Sequence, residues 1–305
     1  MANNDRSELY IVEFADTLGT LSQQTQSRLQ GLVMTGNHVG KQASPIEFVG
    51  DSSVFQVTAR GESKVIEEVD HSRRWVNQVS WSTPPALVDN FDDVRTKIDP
   101  SGPYARNQVY AHMRKRDDQI IDAFFDDAIT GETATGTTSF SAGNVVAAGA
   151  AGLTLAKLLE GLQLLQQNEV DMDHPETMIG CCITPAQHTQ LIQISQVSNT
   201  DFGNTVFDGE GLIKKWYGIN FVVSNRLEDA AGIRANVNPG ASATRAIPMW
   251  AKSGMHLGLW EDIKGDIKED PTRIGNPPLI TTTATSGATR TEEEKVIKIV
   301  IDETA

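Results

Sequence analysis

The most regular alternation in the chain lies between residues 65 and 81, where Val65, Val69, Trp75, Val79 and Trp81 fall on odd positions. Glu68, Asp70, Ser72, Arg74, Gln78 and Ser80 fall on even ones, so a strand here has one apolar and one charged face. Residues 46 to 59 read as its partner, and Arg60-Gly61-Glu62-Ser63-Lys64 as the connecting turn, with the glycine supplying the bend. At roughly 3.3 Å per residue each arm reaches about 45 to 55 Å. A two-stranded ribbon of that length is marginal alone in water, so its apolar face must rest on another surface, such as that of another subunit.

Helical spacing is clearest after the breaker Asp99-Pro100-Ser101-Gly102-Pro103. Val109, Met113, Ile120, Phe124 and Ala128 recur at three- and four-residue steps, which predicts one helix over residues 103 to 130. At 1.5 Å per residue it spans about 40 Å, long enough to serve as a strut. Thr154 caps a second helix carrying Leu155, Leu158, Leu159, Leu162 and Leu165, and Thr184-Pro185 starts a third. Upstream, Leu18, Leu21, Thr25, Leu29 and Leu32 predict a weakly amphipathic helix in a polar arm. A short helix is predicted over residues 211 to 217. Strands are predicted over 177 to 183, 219 to 223, 246 to 251, 255 to 260, 279 to 283 and 295 to 301. Residues 131 to 152, rich in Gly, Ala, Thr and Ser, read as a loop or a loose hairpin, and residues 229 to 244 as an exposed loop. Helices and strands without regular β-α-β alternation indicate an α+β fold.

Composition narrows the function. The 26 Lys and Arg against 40 Asp and Glu give a net charge of −14, which argues against tight binding to phosphate backbones. An acidic surface suits a protein made at high concentration, since like-charge repulsion opposes premature association. Of 305 residues, 39% are hydrophobic, enough for a core held without disulfides or metal. The neighbouring Cys181 and Cys182 read as reduced thiols on a strand. The polar start and the glycine-interrupted stretch from 145 to 153 indicate neither a secretion signal nor a membrane span.

Candidate chemistry is sparse. No phosphate loop, His-Glu-x-x-His or Cys-x-x-Cys spacing occurs. Gly61-Glu62-Ser63 resembles the start of a nucleophile elbow, but Val65 replaces the second glycine, and a hairpin tip explains it better. Asp171, Asp173 and His174 could meet at a divalent cation, although a solvated loop is the commoner outcome for such a set. Asp117, Asp118 and Asp122 share a helix region with Arg114, Lys115 and Arg116, which favours a salt-bridged surface or subunit contact over acid/base work. Arg60, Lys64, Arg73 and Arg74 are interleaved with Glu62, Glu67, Glu68 and Asp70, a mixture suited to docking on a charged neighbour.

The order of parts, together with four segments, resembles a known family. The segments are Asp70-His71-Ser72-Arg73-Arg74, Asp89-Asn90-Phe91-Asp92-Asp93, the run from Arg116-Asp117-Asp118 through Gln119-Ile120-Ile121-Asp122-Ala123, and Gly211-Leu212-Ile213-Lys214-Lys215-Trp216-Tyr217-Gly218 continuing to Asn225. They are similar to tailed-bacteriophage major capsid proteins of the Hong Kong 97-type fold, in particular a podophage-like capsid family. The resemblance implies an N-terminal arm (1–44), an extended β-hairpin loop (45–90), a peripheral domain with a long spine helix (91–175), an axial domain (176–250) and return strands of the peripheral domain (251–305).

Function under this resemblance is self-assembly into an icosahedral shell of pentamers and hexamers around double-stranded DNA, without sequence-specific binding, catalysis, cofactor or membrane. The product is a virion assembled in the bacterial cytoplasm. A separate scaffolding protein, a portal and a decoration protein are the further partners implied. The resemblance implies subunit contacts on the loop residues Arg60, Glu62, Lys64, Glu67, Glu68, Asp70, Arg73, Arg74 and Trp75, and a spine helix that carries Arg114, Arg116, Asp117, Asp118 and Asp122. Lys64 near the loop tip has no matching asparagine signature, so crosslinking is not expected. Two rivals remain. An encapsulin-like compartment would enclose an enzyme rather than DNA, and a metal-dependent hydrolase would depend on His174.

Overall fold

A computed structural model describes residues 21–50, 52–57, 60, 66, 68–87, 101–172, 174, 177–194, 213–229, 234 and 244–303. Two compact units divide the chain: the smaller comprises residues 1–25, 81–113 and 263–284, the larger 26–80, 114–262 and 285–305.

The larger unit is built on a six-stranded sheet. Its strands are β8 (Val145–Val146), β9 (Ile179–Ile183), β10 (Lys215–Trp216), β11 (Ile219–Val223), β12 (Thr244–Ala251) and β15 (Val296–Asp302), in the order β10-β11-β9-β12-β15-β8. β9 is buried at every position, which explains why Ile179-Gly180-Cys181-Cys182-Ile183 reads as a continuous apolar run rather than an alternating one. Gly180 is required there: a Cβ would stand 2.7 Å from the Trp250 indole. Helix α2 (Leu155–Gln167) turns Leu158, Leu162 and Leu165 into this core, and Thr154 accepts the Lys157 N–H as its N-cap. Helix α3 (Pro185–Gln193) starts with a reciprocal capping box between Thr184 and Gln187.

A second core gathers Leu29, Val33, Ile120, Ile121, Phe124, Trp250, Met255 and Leu257. It receives one face of the long helix α1 (Ser101–Phe125). A four-stranded sheet, in the order β2-β3-β6-β7, comprises β2 (Gln42–Val49), β3 (His71–Asn77), β6 (Ala128–Thr130) and β7 (Gly136–Thr138). The remaining sheet runs β1 (Met34–Asn37), β13 (Met255–Glu269), β14 (Pro278–Arg290), β4 (Val79–Ser82), with β5 (Ala86–Leu87) also on β14. In the smaller unit the first part of α1 is fastened to β14. Gln108 donates to the Ile280 carbonyl at 2.9 Å, and a His112 ring nitrogen lies 3.0 Å from the Thr282 carbonyl.

Several expectations are corrected. The long helix ends at Phe125 rather than 130, and Ala128–Thr130 pairs with β3 instead. Asp126 and Asp127 place negative charge where the helix carbonyls already concentrate it. The buried Arg290 then accepts the termination, donating to the Phe124 and Asp126 carbonyls at 2.7 and 2.9 Å. Described residues 21 to 29 form no α-helix, and only Gln30–Leu32 make a 3₁₀ turn. In place of a helix over 211 to 217, residues 213 and 214 are irregular and Lys215–Trp216 form β10, while 211 and 212 lie outside the described residues. β13 and β14 extend well beyond their predicted bounds. Residues 131 to 152, read as a loop or loose hairpin, contain β7, which pairs antiparallel with β6, and β8, which pairs with β15. Among the described residues no helix is long and apolar enough to cross a membrane.

Candidate subunit-contact site

The hairpin predicted between residues 46 and 81 exists, with shorter strands. β2 and β3 pair antiparallel from Gln42↔Asn77 to Val49↔His71, with a bulge between Ala43 and Ile46 that accommodates Pro45. The Gly50 amide donates to the Asp70 carbonyl at 2.7 Å, and the described residues 52–57 beyond it are in no strand. Apolar side chains nevertheless continue into that segment. Val54 is 99% exposed, Phe55 50% and Ile66 89%, with Val49 and Val57 also exposed.

The base of the hairpin is the opposite: firmly held, and by the face expected to be charged. Val76 is buried and Arg74 donates through Nε to the Thr291 carbonyl at 2.8 Å. Arg74 Nη2 also lies 3.7 Å from Glu293, itself paired with Arg290 at 2.6 Å. Trp75, placed by alternation on the apolar inner face, points the other way, where its indole donates to the Gly131 carbonyl at 2.6 Å and Arg73 stacks 5.5 Å from its ring. The inversion has a cause distant in sequence: Gly287, opposite Val76, lets β3 pack so closely that a Cβ on it would strike the Asn77 carbonyl at 2.1 Å. Arg73 pairs across the strands with Glu47. Arg60, Glu68 and Asp70 are exposed; Glu62, Lys64 and Glu67, with Gly61 and Ser63, lie outside the described residues.

Asp117 and Asp118 of α1 are buried and form intramolecular clamps with distant segments of the chain. Asp117 is fully buried and accepts from the Ser27 hydroxyl at 2.6 Å and from the Arg28 and Leu29 amides at 3.0 and 3.3 Å. Asp118 is gripped by Arg226, whose Nη2 lies at 2.6 Å, and by Arg234 at 2.8 Å; Arg234 also reaches Asp122 at 3.0 Å. The Asp118 hydrogen bond pushes the Arg226 guanidinium further toward its charged form. Burial, with Asp122 and Asp127 nearby, pushes the Asp126 carboxyl up. Arg116 pairs with Asp262, and Arg114 is half-buried, with its proton affinity lowered by burial first and by Arg226 second. Arg226, Arg234, Arg290 and Glu293 were not singled out by sequence reasoning. Arg226 follows the Ser224-Asn225 turn and Arg234 lies within the segment read as a loop, where nothing local marks them as partners of a helix a hundred residues away. Arg290 and Glu293 do carry a signal, the i,i+3 spacing of their pair.

The chemical candidates do not assemble. Asp171 accepts the His174 backbone N–H, three residues on, at 3.2 Å, a local side-chain-to-backbone bond, and Asp173 lies outside the described residues. No group of three or more His, Cys, Asp or Glu is placed to hold a metal among the described residues. Burial pushes both Cys181 and Cys182 thiols well up, which makes them inert.

A long helix, a two-stranded hairpin and a separate six-stranded sheet are parts of the Hong Kong 97-type capsid fold, which is the fold of this chain. Solved capsid structures share it. The capsid of cyanophage P-SCSP1u is 17% identical with a TM-score of 0.69, over 98% of this chain and 96% of that one. The cyanophage Pam1 capsid is 11% identical with a TM-score of 0.73, over 99% and 98%. Mycobacterium phage Che8 gives 15% and 0.66 over the whole of both chains. No curated protein sequence matches significantly. The model of the phage capsid protein family matches residues 7–303, and the chain belongs to that family. It is a structural protein of the virion, the major capsid protein from which the phage shell is built.

Proposed function

We propose that the chain builds its shell by laying the loop of residues 45–90 over an adjacent copy. The observation that carries this is the contrast within one hairpin: its base is locked by Val76, Arg74 and Trp75, while Val54, Phe55 and Ile66 project uncovered into solvent. A held base with an uncovered apolar end suits contact between copies, and repetition of modest contacts around symmetry axes makes a shell cohesive. Arg60, Glu62, Lys64, Glu67, Glu68 and Asp70 supply the charged rim of that contact. Arg73, Arg74 and Trp75 brace it from behind. Arg114, Arg116, Asp117, Asp118 and Asp122 hold α1 rigid as the spine that carries it.

In this reading residues 1–44 are the arm, 91–175 and 251–305 the peripheral domain, and 176–250 the axial domain, whose copies meet in pentamers and hexamers around double-stranded DNA. The chain's charge of −14 repels the packaged polyanion instead of gripping it. Scaffolding, portal and decoration proteins complete the set of partners. Deleting residues 51 to 69 leaves β2 and β3 intact. The expected outcome is a soluble, folded chain that forms no shells by negative-stain microscopy, with or without scaffolding protein. Shells of normal size from that deletion overturn the proposal.

A further inference from the structure

β1 is an edge strand. It pairs in parallel with β13 over only four positions, from Met34↔His256 to Asn37↔Leu259, and then runs through Val39 and Gly40 directly into β2, the first strand of the extended hairpin. So short an edge holds weakly unless side chains add to it. The side chains that do so here are two histidines. His38 Nε2 lies 2.8 Å from His256 Nε2, and the Trp260 indole packs 5.4 Å from the His38 ring. Glycines clear the space on both strands. A Cβ on Gly36 would stand 3.0 Å from the His256 ring, and one on Gly258 2.9 Å from the His38 ring.

We propose that His38 and His256 form a proton-operated latch, which holds β1 on β13 at neutral pH and releases it in acid. At 2.8 Å one of the facing nitrogens must carry a hydrogen and the other must be bare. A first added proton is tolerated, because a charged N–H still donates to the bare nitrogen. A second puts two N–H donors and two positive charges face to face, and the rings must part. Burial disfavours protonation of both rings, and His256 is brought down to about 4 by burial first and the His38 charge second.

Trp260 and Glu261 of β13, Gln78 from the link between β3 and β4, and Thr285 of β14 line one cavity with His38. Glu261 is the carboxylate of that set, and nearby the Lys41 backbone carbonyl accepts the Gln78 amide at 3.2 Å. Opening the latch frees the strand that feeds the hairpin. Its effect on shells rests on the loop reading proposed above; the latch itself does not.

Hydrogen exchange of the unassembled full-length chain, corrected for the intrinsic pH dependence of amide chemistry, tests it. Protection of residues 34 to 38 is expected to fall at least about tenfold between pH 7 and pH 4. His256→Gln, which keeps a hydrogen-bonding group but cannot take the proton, is expected to lose less than about twofold. His38→Gln serves the same purpose should the first variant fail to fold. Equal wild-type protection at the two pH values overturns the latch, as does an equal loss in the glutamine variant. If the latch opens as expected while acid leaves shells unchanged, the loop reading fails and the latch stands.

Discussion

Replacing Asp117 by alanine removes one carboxylate and leaves three donors without an acceptor. The Ser27 hydroxyl and the Arg28 and Leu29 amides all converge on it, at 2.6, 3.0 and 3.3 Å, in a place with no solvent exposure. Each hydrogen bond to a charged group contributes about 1.5 to 3 kcal/mol net, and one carboxylate shared among three donors gives less than three such bonds. A loss of about 3 to 5 kcal/mol follows, near the upper end for a single substitution. Asp117→Asn keeps one acceptor oxygen and is expected to lose about 1 to 2 kcal/mol. Urea unfolding of the unassembled chain measures both. Limited trypsin digestion reports the cause, because Arg28 lies in the anchored segment and should become cleavable in Asp117→Ala before global unfolding. Wild-type and alanine chains with midpoints equivalent to within about 0.5 kcal/mol, and equal resistance at Arg28, would refute the reasoning.

Other consequences follow from the same contacts. Arg226→Ala leaves Asp118, nearly closed to solvent, with Arg234 alone, and is expected to lower stability by about 2 to 3 kcal/mol. Lysine at that position rescues little, because a point charge cannot reproduce the two-pronged grip. Gly180→Ala pushes a methyl to 2.7 Å from the Trp250 ring and should cost about 1 to 3 kcal/mol with a changed tryptophan emission. Cys181 and Cys182 should resist thiol reagents in the folded chain and react only on denaturation. Because folding lowers the proton affinity of His256, the unfolded chain protonates first as pH falls. Stability held above about pH 6.5 is therefore lost toward pH 4, by about 2 to 3 kcal/mol in denaturant titrations, and His256→Gln should flatten that slope.

Elements whose signals are local were legible in the sequence. Thr154 and Thr184-Pro185 mark α2 and α3 because caps act within one turn, and the 219 to 223 run is β11 because a buried strand needs a continuous apolar stretch. What escaped depends on distant partners. The face of β3 that packs inward is decided by Gly287, and the end of α1 by Arg290, residues far along the chain. β13 and β14 continue past their apolar sections because pairing with each other sustains strand where alternation has faded. The carboxylates of α1 stand out in the sequence as a group, but their partners Arg226, Arg234 and the amides after Ser27 are visible only in three dimensions. Charge interleaving and family resemblance single out the loop residues as candidates. The bracing role of Arg74 and Trp75 required knowing that Thr291 and Gly131 lie against them.

The account depends on the apolar end of the hairpin finding its cover on a neighbour, and a single engineered thiol reports this directly. Both native cysteines are fully buried, so Val54→Cys, at a position 99% exposed in the lone chain, introduces the one reactive thiol among the described residues. Labelling should be rapid in the unassembled protein and slower by at least about tenfold in purified shells, where a neighbouring copy covers the position. Equal labelling rates in the free chain and the shell would contradict the claim.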